Sequence, residues 1–292
     1  MKEKLLLIYN PVSGQQLVGG QLGDIVLSLQ EKWDVTIRPT ASKGHAEQMA
    51  AEEGGRYDVM VAAGGDGTIH EVVNGMMRAR QQPVLGILPG GTANDIARTL
   101  QIPLTLLEAC EFMKTEEPKF IDIGKYGERY FMNFLGLGLI STVSKDIKNE
   151  TKTYLRHFTY YIKSLQHMQN NQLFHVTIET EKRKIEADAV MVYVANGQSL
   201  AGLELFTDNE MNTGQFEVAI VRNVGLSEII SVASSYIKSE PIEHEAFYLF
   251  KADSLSIHCD PPQLIDTDGE KEGQTPVSIE LLREKMRVIG HL

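Results

Sequence analysis

The stretch Val59-Met60-Val61-Ala62-Ala63-Gly64-Gly65-Asp66-Gly67-Thr68 decides the fold. Its first five residues are an apolar run that reads as a buried strand. The residues after it are helical in pattern, with Ile69, Val72, Val73 and Met76 at helical spacing. Gly64, Gly65 and Gly67 therefore occupy a strand-to-helix turn. Without Cβ atoms, backbone N–H groups there can approach a ligand closely. The helix N-terminus adds unpaired donors and a partial positive charge, which suits phosphate. Asp66 puts a carboxylate in the same turn. Beside phosphates a carboxylate is repulsive unless a cation lies between them, and hard oxygen ligands suit Mg²⁺. The turn reads as a site for a Mg²⁺-bound nucleotide. Taken alone, it is equally an ordinary tight turn with an Asp cap.

Two further turns shift that balance. Asn10-Pro11-Val12-Ser13-Gly14 follows the apolar run Leu5–Tyr9, and Pro89-Gly90-Gly91-Thr92-Ala93-Asn94-Asp95 follows Val84–Leu88. Each ends an expected strand and opens an expected helix. In an open α/β sheet such turns gather outside the carboxyl ends of the strands, where ligands bind. One shared phosphate site explains the turns better than independent accidents do. The common nucleotide motifs are absent. No G-x-x-x-x-G-K-[S/T] occurs, and the first strand runs into Asn-Pro rather than G-x-G-x-x-G. After Gly65 and Gly67, the third glycine position holds His70, so a dinucleotide reading is weak.

Composition bounds the function. The chain has 292 residues, 42% of them apolar, room for two domains and a sizeable core. No apolar run approaches the ~20 residues of a membrane span. Tyr130 to Ile140 is the longest candidate, and it holds Asn133 and two glycines. Met1-Lys2-Glu3-Lys4 leads straight into a strand, so no signal peptide is expected. Cys110 and Cys259 are the only cysteines, which fits a reducing cytoplasm. A net charge of −11 argues against nucleic-acid binding and against broad attachment to anionic lipid.

The pattern changes near residue 125. Before it, strands Lys4–Tyr9, Trp33–Arg38 and Phe120–Gly124 alternate with helices around Leu17–Leu29, Lys43–Glu53 and Leu104–Lys114. This predicts a doubly wound α/β domain over residues 1–124. After it, period-two segments dominate: Phe174–Glu179, Ala187–Ala195, Phe216–Arg222, Ala246–Phe250, Ser254–His258 and Val277–Leu281. They predict an antiparallel sheet or sandwich over 125–283.

Asn-Pro-x-Ser-Gly, Gly-Gly-Asp-Gly-Thr and Pro-Gly-Gly-Thr-Ala-Asn-Asp-Ile-Ala-Arg, in this order, resemble the catalytic domain of diacylglycerol kinases. The whole chain is similar to the soluble bacterial diacylglycerol kinase and lipid kinase family, whose relatives include sphingosine and ceramide kinases. The resemblance is strong to about residue 125 and looser beyond. It implies an antiparallel β-sandwich domain packed on the nucleotide domain with the site between them, and return of residues 284–292 to the first domain. It implies ATP and Mg²⁺ as cofactors. It implies a lipid substrate at the membrane surface, a cytoplasmic protein transiently at the inner membrane surface, and a place in phospholipid biosynthesis. It leaves a homodimer open.

Carried over by residue, the resemblance makes Asn10, Pro11, Ser13 and Gly14 the first nucleotide loop. It makes Thr40 a nucleotide contact after the second strand. Gly64, Gly65, Asp66, Gly67, Thr68 and Glu71 form the triphosphate cradle, with Gly91 beside it and the Thr92 hydroxyl toward a phosphate. Asp66, Asp95 and Asp122 would gather around the nucleotide's Mg²⁺. From the residues alone, Asp95 is equally a helix cap and Asp122 a strand end. In Asp266-Thr267-Asp268-Gly269-Glu270 the local reading is a hairpin turn. The resemblance makes Glu270 the base for the acceptor hydroxyl and Asp268 its orienting or metal-linked neighbour. Glu270 would then have to face the Gly64–Thr68 turn beside an apolar channel for the lipid chains.

One departure concerns a structural Mg²⁺ that relatives hold. The aligned loop is Glu210-Met211-Asn212-Thr213-Gly214-Gln215, with Thr213 where an Asp is expected. With Glu210, Thr213 and Gln215 as the candidate ligands, the site should be weak or empty unless Asp208 or Asn212 compensates. Gly197-Gln198-Ser199-Leu200-Ala201 only approaches a nucleophile elbow. His70-Glu71 reads as a helix-surface pair. Lys145 to Met168 carries an aromatic helical stripe and five cations against two anions, a candidate for lipid contact or for packing on its own domain. The sequence thus points to an ATP- and Mg²⁺-dependent lipid kinase, with diacylglycerol as first acceptor. The alternatives are an NAD kinase-like enzyme and a nucleotide-binding regulator without turnover.

Overall fold

The structure, a computed structural model, describes residues 2–13, 17–138, 173–200, 203–204, 210–222 and 247–292. Gly14, Asp208 and the Lys145–Met168 segment lie outside the described residues. The chain divides into two compact units. One comprises Met1–Asn133, Asn196–Gly214 and Leu282–Leu292; the other comprises Phe134–Ala195 and Gln215–Leu281. The first unit thus extends past residue 124 and takes in Asn196–Gly214, a stretch that the change of pattern near 125 did not mark.

In chain order the elements begin β1 (Lys4–Tyr9), α1 (Leu17–Gly20), α2 (Leu22–Gln30), β2 (Asp34–Pro39), α3 (His45–Glu53), β3 (Val59–Gly64), α4 (Asp66–Arg78), β4 (Val84–Pro89), α5 (Asp95–Thr99), α6 (Leu106–Thr115), β5 (Pro118–Tyr126) and β6 (Arg129–Phe131). They continue with β7 (Phe134–Gly138), β8 (Phe174–Glu179), β9 (Lys184–Ala195), β10 (Ser199–Leu200), β11 (Leu203–Glu204), β12 (Phe216–Arg222), β13 (Phe247–Ala252), β14 (Ser254–Asp260), β15 (Leu264–Thr267), β16 (Glu270–Gln274) and β17 (Val277–Ile289).

In the first unit, β4, β3, β1 and β2 form a parallel sheet in that order. Leu5–Ile8 and Met60–Ala63 are fully buried. Such continuous apolar runs belong to strands covered on both faces by crossover helices. The strands end in step: Tyr9 pairs with Pro39 and with Ala63, and Gly64 pairs with Pro89. Their following turns therefore lie along one edge. From β1 the chain crosses to β2, then returns to β3 on the other side of β1. The topological switch falls between β1 and β3, the crevice in which open α/β sheets bind ligands.

Local sequence explains where the elements depart from expectation. The single helix expected over Leu17–Leu29 is two helices, α1 and α2, broken at Gln21 after the weak helix formers Gly19 and Gly20. β7 was not anticipated, because Phe134-Leu135-Gly136-Leu137-Gly138 is buried at every position and shows no alternation. β17 outruns its expected end: Val277–Leu281 belongs to the second unit and the residues from Leu282 to the first, where Val288 pairs in parallel with Leu85.

The second unit is antiparallel, as the period-two segments predict. β9 pairs with β8 along its first half and with β7 and β12 along its second. β14 joins β8 to the first part of β17, and β15 joins β7 to β16. Burial alternates along β8 and β14, so one face is packed and the other open.

The helix after the glycine turn is set against its neighbour at closest range by Gly75. A Cβ at this position would press on the Glu47 carbonyl oxygen of α3 and lie 2.6 Å from the Ala50 Cβ. Alanine is the better helix former by about 1 kcal/mol, but overpacking costs about 1–3 kcal/mol. Gly75→Ala is therefore expected to lower the urea midpoint of unfolding. A raised midpoint would show that α3 and α4 are free to separate.

Candidate active site

Three turns meet at the carboxyl edge of the parallel sheet. After β1, the Asn10 N–H donates to the Ala63 carbonyl at 3.0 Å, tying this turn to β3. Asn10 Oδ1 accepts the Val12 N–H at 3.1 Å, and Ser13 Oγ donates to the Asn10 carbonyl at 2.9 Å. The turn closes on itself, as Asx turns do. After β3, extended Gly65 caps α4, and the Thr68 N–H donates to its carbonyl at 2.9 Å. Thr68 stands over Gly64, where a Cβ would lie 2.6 Å from the Thr68 Oγ1.

After β4, the Gly90 N–H donates to the Gly64 carbonyl at 2.7 Å. Asn94, left-handed at φ 52°, then locks the turn: its Oδ1 accepts the Gly91 N–H at 2.8 Å and its Nδ2 donates to the Gly91 carbonyl at 3.1 Å. A Cβ on Gly91 would sit 2.7 Å from the Gly65 Cα, and one on Gly90 would lie 3.4 Å from the Ser13 Oγ. Only glycine lets the β3 and β4 turns pack backbone to backbone. Thr92 is exposed at the lip.

The acidic residues sort into different jobs. Asp66 Oδ1 accepts the Ile96 N–H at 3.3 Å, at the start of α5, whose first residue is the buried Asp95. Asp66 and Asp95 thus belong to the same pair of turns. Asp122, expected with them, is elsewhere in its interactions. It is 2% exposed; its Oδ1 accepts the Glu284 N–H and its Oδ2 the Gly214 N–H, both at 2.8 Å. Its own N–H donates to the Met211 carbonyl at 2.6 Å, and Asn196 Nδ2 donates to its carbonyl at 2.9 Å. A buried carboxylate draws backbone donors strongly, so Asp122 knots β5, the 210–214 loop and β17 together. Among the described residues, no cluster of three or more His, Cys, Asp or Glu is arranged to hold a metal ion. The hard oxygens of Asp66 and Asp95, beside the glycine turns, fit a nucleotide-borne Mg²⁺.

In the 210–215 loop the Thr213 N–H turns back to the Glu210 carbonyl at 3.3 Å, and Glu210 is exposed. Exposed Glu210 and neutral Thr213, even with a backbone carbonyl at Gln215, make a poor donor set for a second Mg²⁺. Glu71, expected in the triphosphate cradle, directs its carboxylate to α3: Oε1 accepts the Gly44 N–H at 2.8 Å and Oε2 the Ala46 N–H at 3.2 Å. Thr40 follows β2, its N–H donating at 2.9 Å to the carbonyl of Tyr9 at the end of β1. His70 is not on the helix surface: it is 1% exposed, with Nε2 3.2 Å from the Asn74 Nδ2. Burial pushes both cysteine thiols up to about 11, so neither is a nucleophile at neutral pH.

In the second unit, Asp268 and Gly269 form a two-residue hairpin loop between paired Thr267 and Glu270. Both loop residues have positive φ, 53° and 91°, as a type I′ turn requires. Asp268 Oδ1 accepts the Phe134 N–H at 3.0 Å, and the Asp268 N–H returns to the Phe134 carbonyl at 3.2 Å. Asp266 Oδ1 accepts the Gly269 N–H at 3.0 Å. The two aspartates fix the turn, and Glu270 opens β16 half-buried beside it. Asn94, Asn196 and Asp266 were not among the expected site residues. Asn94 alone had a signal, since Asn in a glycine-rich turn tolerates the left-handed conformation.

Residues 4–126 match the family model of the diacylglycerol kinase catalytic domain. Residues 136–290 match that of the YegS C-terminal NAD kinase beta sandwich-like domain. The chain belongs to the bacterial diacylglycerol kinase family. A diacylglycerol kinase of Staphylococcus saprophyticus is 30% identical over 291 residues, covering 99% of this chain and 95% of the relative. One of Bacillus subtilis is 31% identical over 274 residues, covering 92% and 90%. A crystal structure of a diacylglycerol kinase from Bacillus anthracis superimposes with a TM-score of 0.81 at 29% identity, covering 99% and 97%. The family's architecture, a mixed α/β domain followed by a β-sandwich domain, is that of this chain. A catalytic domain of this family makes the protein a lipid kinase. Among the described residues of this kinase, no helix is long and apolar enough to cross a membrane.

The Asp122 knot can be tested without substrate. Each backbone donor left unpaired in a buried site costs about 1–3 kcal/mol. Asp122→Ala orphans two and is expected to lose about 2–6 kcal/mol by urea unfolding, with EDTA present. Equal stability in EDTA would mean that these hydrogen bonds do not hold the loop.

Proposed function

We propose that this kinase transfers the γ-phosphate of ATP, with Mg²⁺, to the free hydroxyl of diacylglycerol, giving phosphatidic acid for phospholipid synthesis. It would act in the cytoplasm, transiently at the inner membrane surface. The observation that carries the reading is the backbone contact of Gly65 with Gly91 between the β3 and β4 turns, with Asp66 beside it. The start of α4 offers N–H groups where a polyphosphate's charge would fall.

In this reading Asn10, Pro11, Ser13 and Gly14 belong to the first phosphate and nucleotide loop, and Thr40 contacts the nucleotide. Gly64–Thr68, Gly91 and Thr92 take the phosphates. Asp66 and Asp95 would hold Mg²⁺, whose charge favours the phosphoryl transition state. Asp122 has the role of holding Gly214 and Glu284. Glu270 is the proposed base. A lipid hydroxyl is a poor nucleophile, and a carboxylate can take its proton as the oxygen bonds to phosphorus. Asp268 acts through the turn that presents Glu270. The lipid's chains favour an apolar site at ~0.8 kcal/mol per CH₂.

The likeness of residues 136–290 to an NAD kinase beta sandwich keeps one rival in view, transfer to NAD. Labelled ATP offered to a panel of extracted lipids and to NAD separates the two. Diacylglycerol is expected to take the label. Labelling of NAD with no lipid labelled would overturn the proposal. Two variants test the roles in the same preparation. Asp66→Asn keeps the turn's glycines and should fold, with turnover down by about 10²-fold or more through lost charge stabilisation. Glu270→Gln should still bind nucleotide while transfer falls about 10²–10⁴-fold. Near-normal transfer by either folded variant removes that residue from its role.

A further inference from the structure

Glu71 lies within the phosphate-turn motif, yet its carboxylate points to another element. α3 starts with no side-chain cap of its own: Gly44 at its N-cap has no side chain and is left-handed, at φ 82°. The first N–H groups of a helix have no intrahelical partner. Glu71, 27 residues onward on α4, bridges Gly44 N–H and Ala46 N–H with its two oxygens. This is a capping interaction made at long range. It also resolves an electrostatic conflict. A carboxylate beside phosphates would repel them. Here the charge is met by two N–H donors and by the positive end of the α3 dipole.

The capped segment is the end of the loop that carries Thr40. That loop is held at its start by the Thr40 N–H on the Tyr9 carbonyl, 2.9 Å. Its middle is braced by His45, whose Nδ1 accepts the Ala41 N–H at 3.0 Å. Glu71 fixes its far end to α4, the helix that begins at Asp66. Behind the cap, α3 is clamped to the same helix. Glu47 pairs with Arg78 of α4 and, at 2.7 Å, with Arg129 of β6, and Gly75 lets the two helices close. The Thr40 loop and the Gly65–Thr68 turn are therefore parts of one braced assembly, with Glu71 as the strut between them.

We infer that Glu71 is a positioning residue for the nucleotide: by capping α3 from α4 it sets the Thr40–Gly44 loop against the phosphate turn, and it contributes to ATP affinity without touching the reacting atoms. This rests on the proposed ATP-dependent reaction and gives one of its expected contacts a different role. Removing the strut should loosen the loop and weaken nucleotide binding. The α4 turn, Asp66 and the base stay in place, so the chemical step should be little affected.

Glu71→Ala and Glu71→Gln test this with two readouts. The first is amide hydrogen exchange at Gly44 and Ala46 without nucleotide. Protection should fall about tenfold or more in Glu71→Ala, and less in Glu71→Gln, which keeps one acceptor oxygen. The second is steady-state kinetics on diacylglycerol vesicles. The KM for ATP should rise about tenfold in the Ala variant and less in the Gln variant, while kcat at saturating ATP changes less than about threefold. Should Ala fail to fold, the Gln variant reads the same split. Unchanged exchange at both amides would overturn the capping role, and a fall in kcat with KM unchanged would overturn the positioning role. A wild-type protein that neither binds ATP nor labels any lipid would overturn the functional reading and the positioning role together, while lost amide protection in Glu71→Ala would still identify the cap.

Discussion

The approach of the Gly65 and Gly91 backbones is the constraint on which the rest of the site depends. With a Cβ on Gly91 2.7 Å from the Gly65 Cα, the β3 and β4 turns could not share one edge as they do. Their contact allows the Gly90 N–H to reach the Gly64 carbonyl and brings Asp66 onto the Ile96 N–H. It also places the Ser13 turn beside both. A side chain at either glycine would separate the start of α4 from the start of α5. The strand order supplies the other half of the condition. Because β1 lies between β2 and β3, the Asn10 turn flanks the crevice with the Gly65 turn, and the Thr40 N–H reaches the end of β1 from the end of β2.

Acidic residues that look alike in sequence divide by which donors reach them. Glu71, Asp122 and Asp268 each accept backbone N–H groups with a side-chain oxygen, and hydrogen bonds to charged groups are worth about 1.5–3 kcal/mol each. These residues hold the α3 start, the 210–214 loop and the β15–β16 hairpin. Asp66 accepts the Ile96 N–H of the neighbouring turn at 3.3 Å. Proximity in a motif therefore predicts which element a carboxylate sits on, and the backbone donors it meets show which segments it ties together. Thr68 and Asn94 show the same division among neutral residues: each closes a turn so that the glycines can stay open.

The parallel core was legible because its signals are local. Uninterrupted apolar runs such as Leu5–Ile8 and Val59–Ala63 mark strands covered on both faces, and glycine at the strand ends marks the turns. The alternating strands of the second unit were legible for the same reason, since a half-buried strand writes its period into the sequence. What escaped the reading is non-local. β7, short and broken by two glycines, takes its place only through pairing with β9 and β15, both distant in sequence. The membership of Asn196–Gly214 in the first unit depends on Asn196 donating to the carbonyls of Asp122 and Met132, partners more than sixty residues away. Glu71 capping α3, and Asp122 joining the Gly214 and Glu284 backbones, are likewise pairings between distant segments. Family motifs name the residues of a site but do not say which backbone each side chain meets.

The 210–214 loop shows how such a pairing changes the meaning of a substitution. Read along the chain, Thr213 is a missing carboxylate, and a loop built around a divalent ion would be expected to suffer. In the fold, the loop's backbone is held by protein groups. Gly214, left-handed at φ 72°, turns its N–H to Asp122 Oδ2, and the Met211 carbonyl accepts from the Asp122 N–H. The Arg283 guanidinium packs against the same glycine, within 3.1 Å of where a Cβ would stand. Charged groups of both signs thus meet the loop from β5 and β17 within the first unit. A neutral hydroxyl at 213 leaves every one of these contacts intact. Asp122 therefore ties the loop to β5 and β17 through backbone groups, none of which is the side chain at 213.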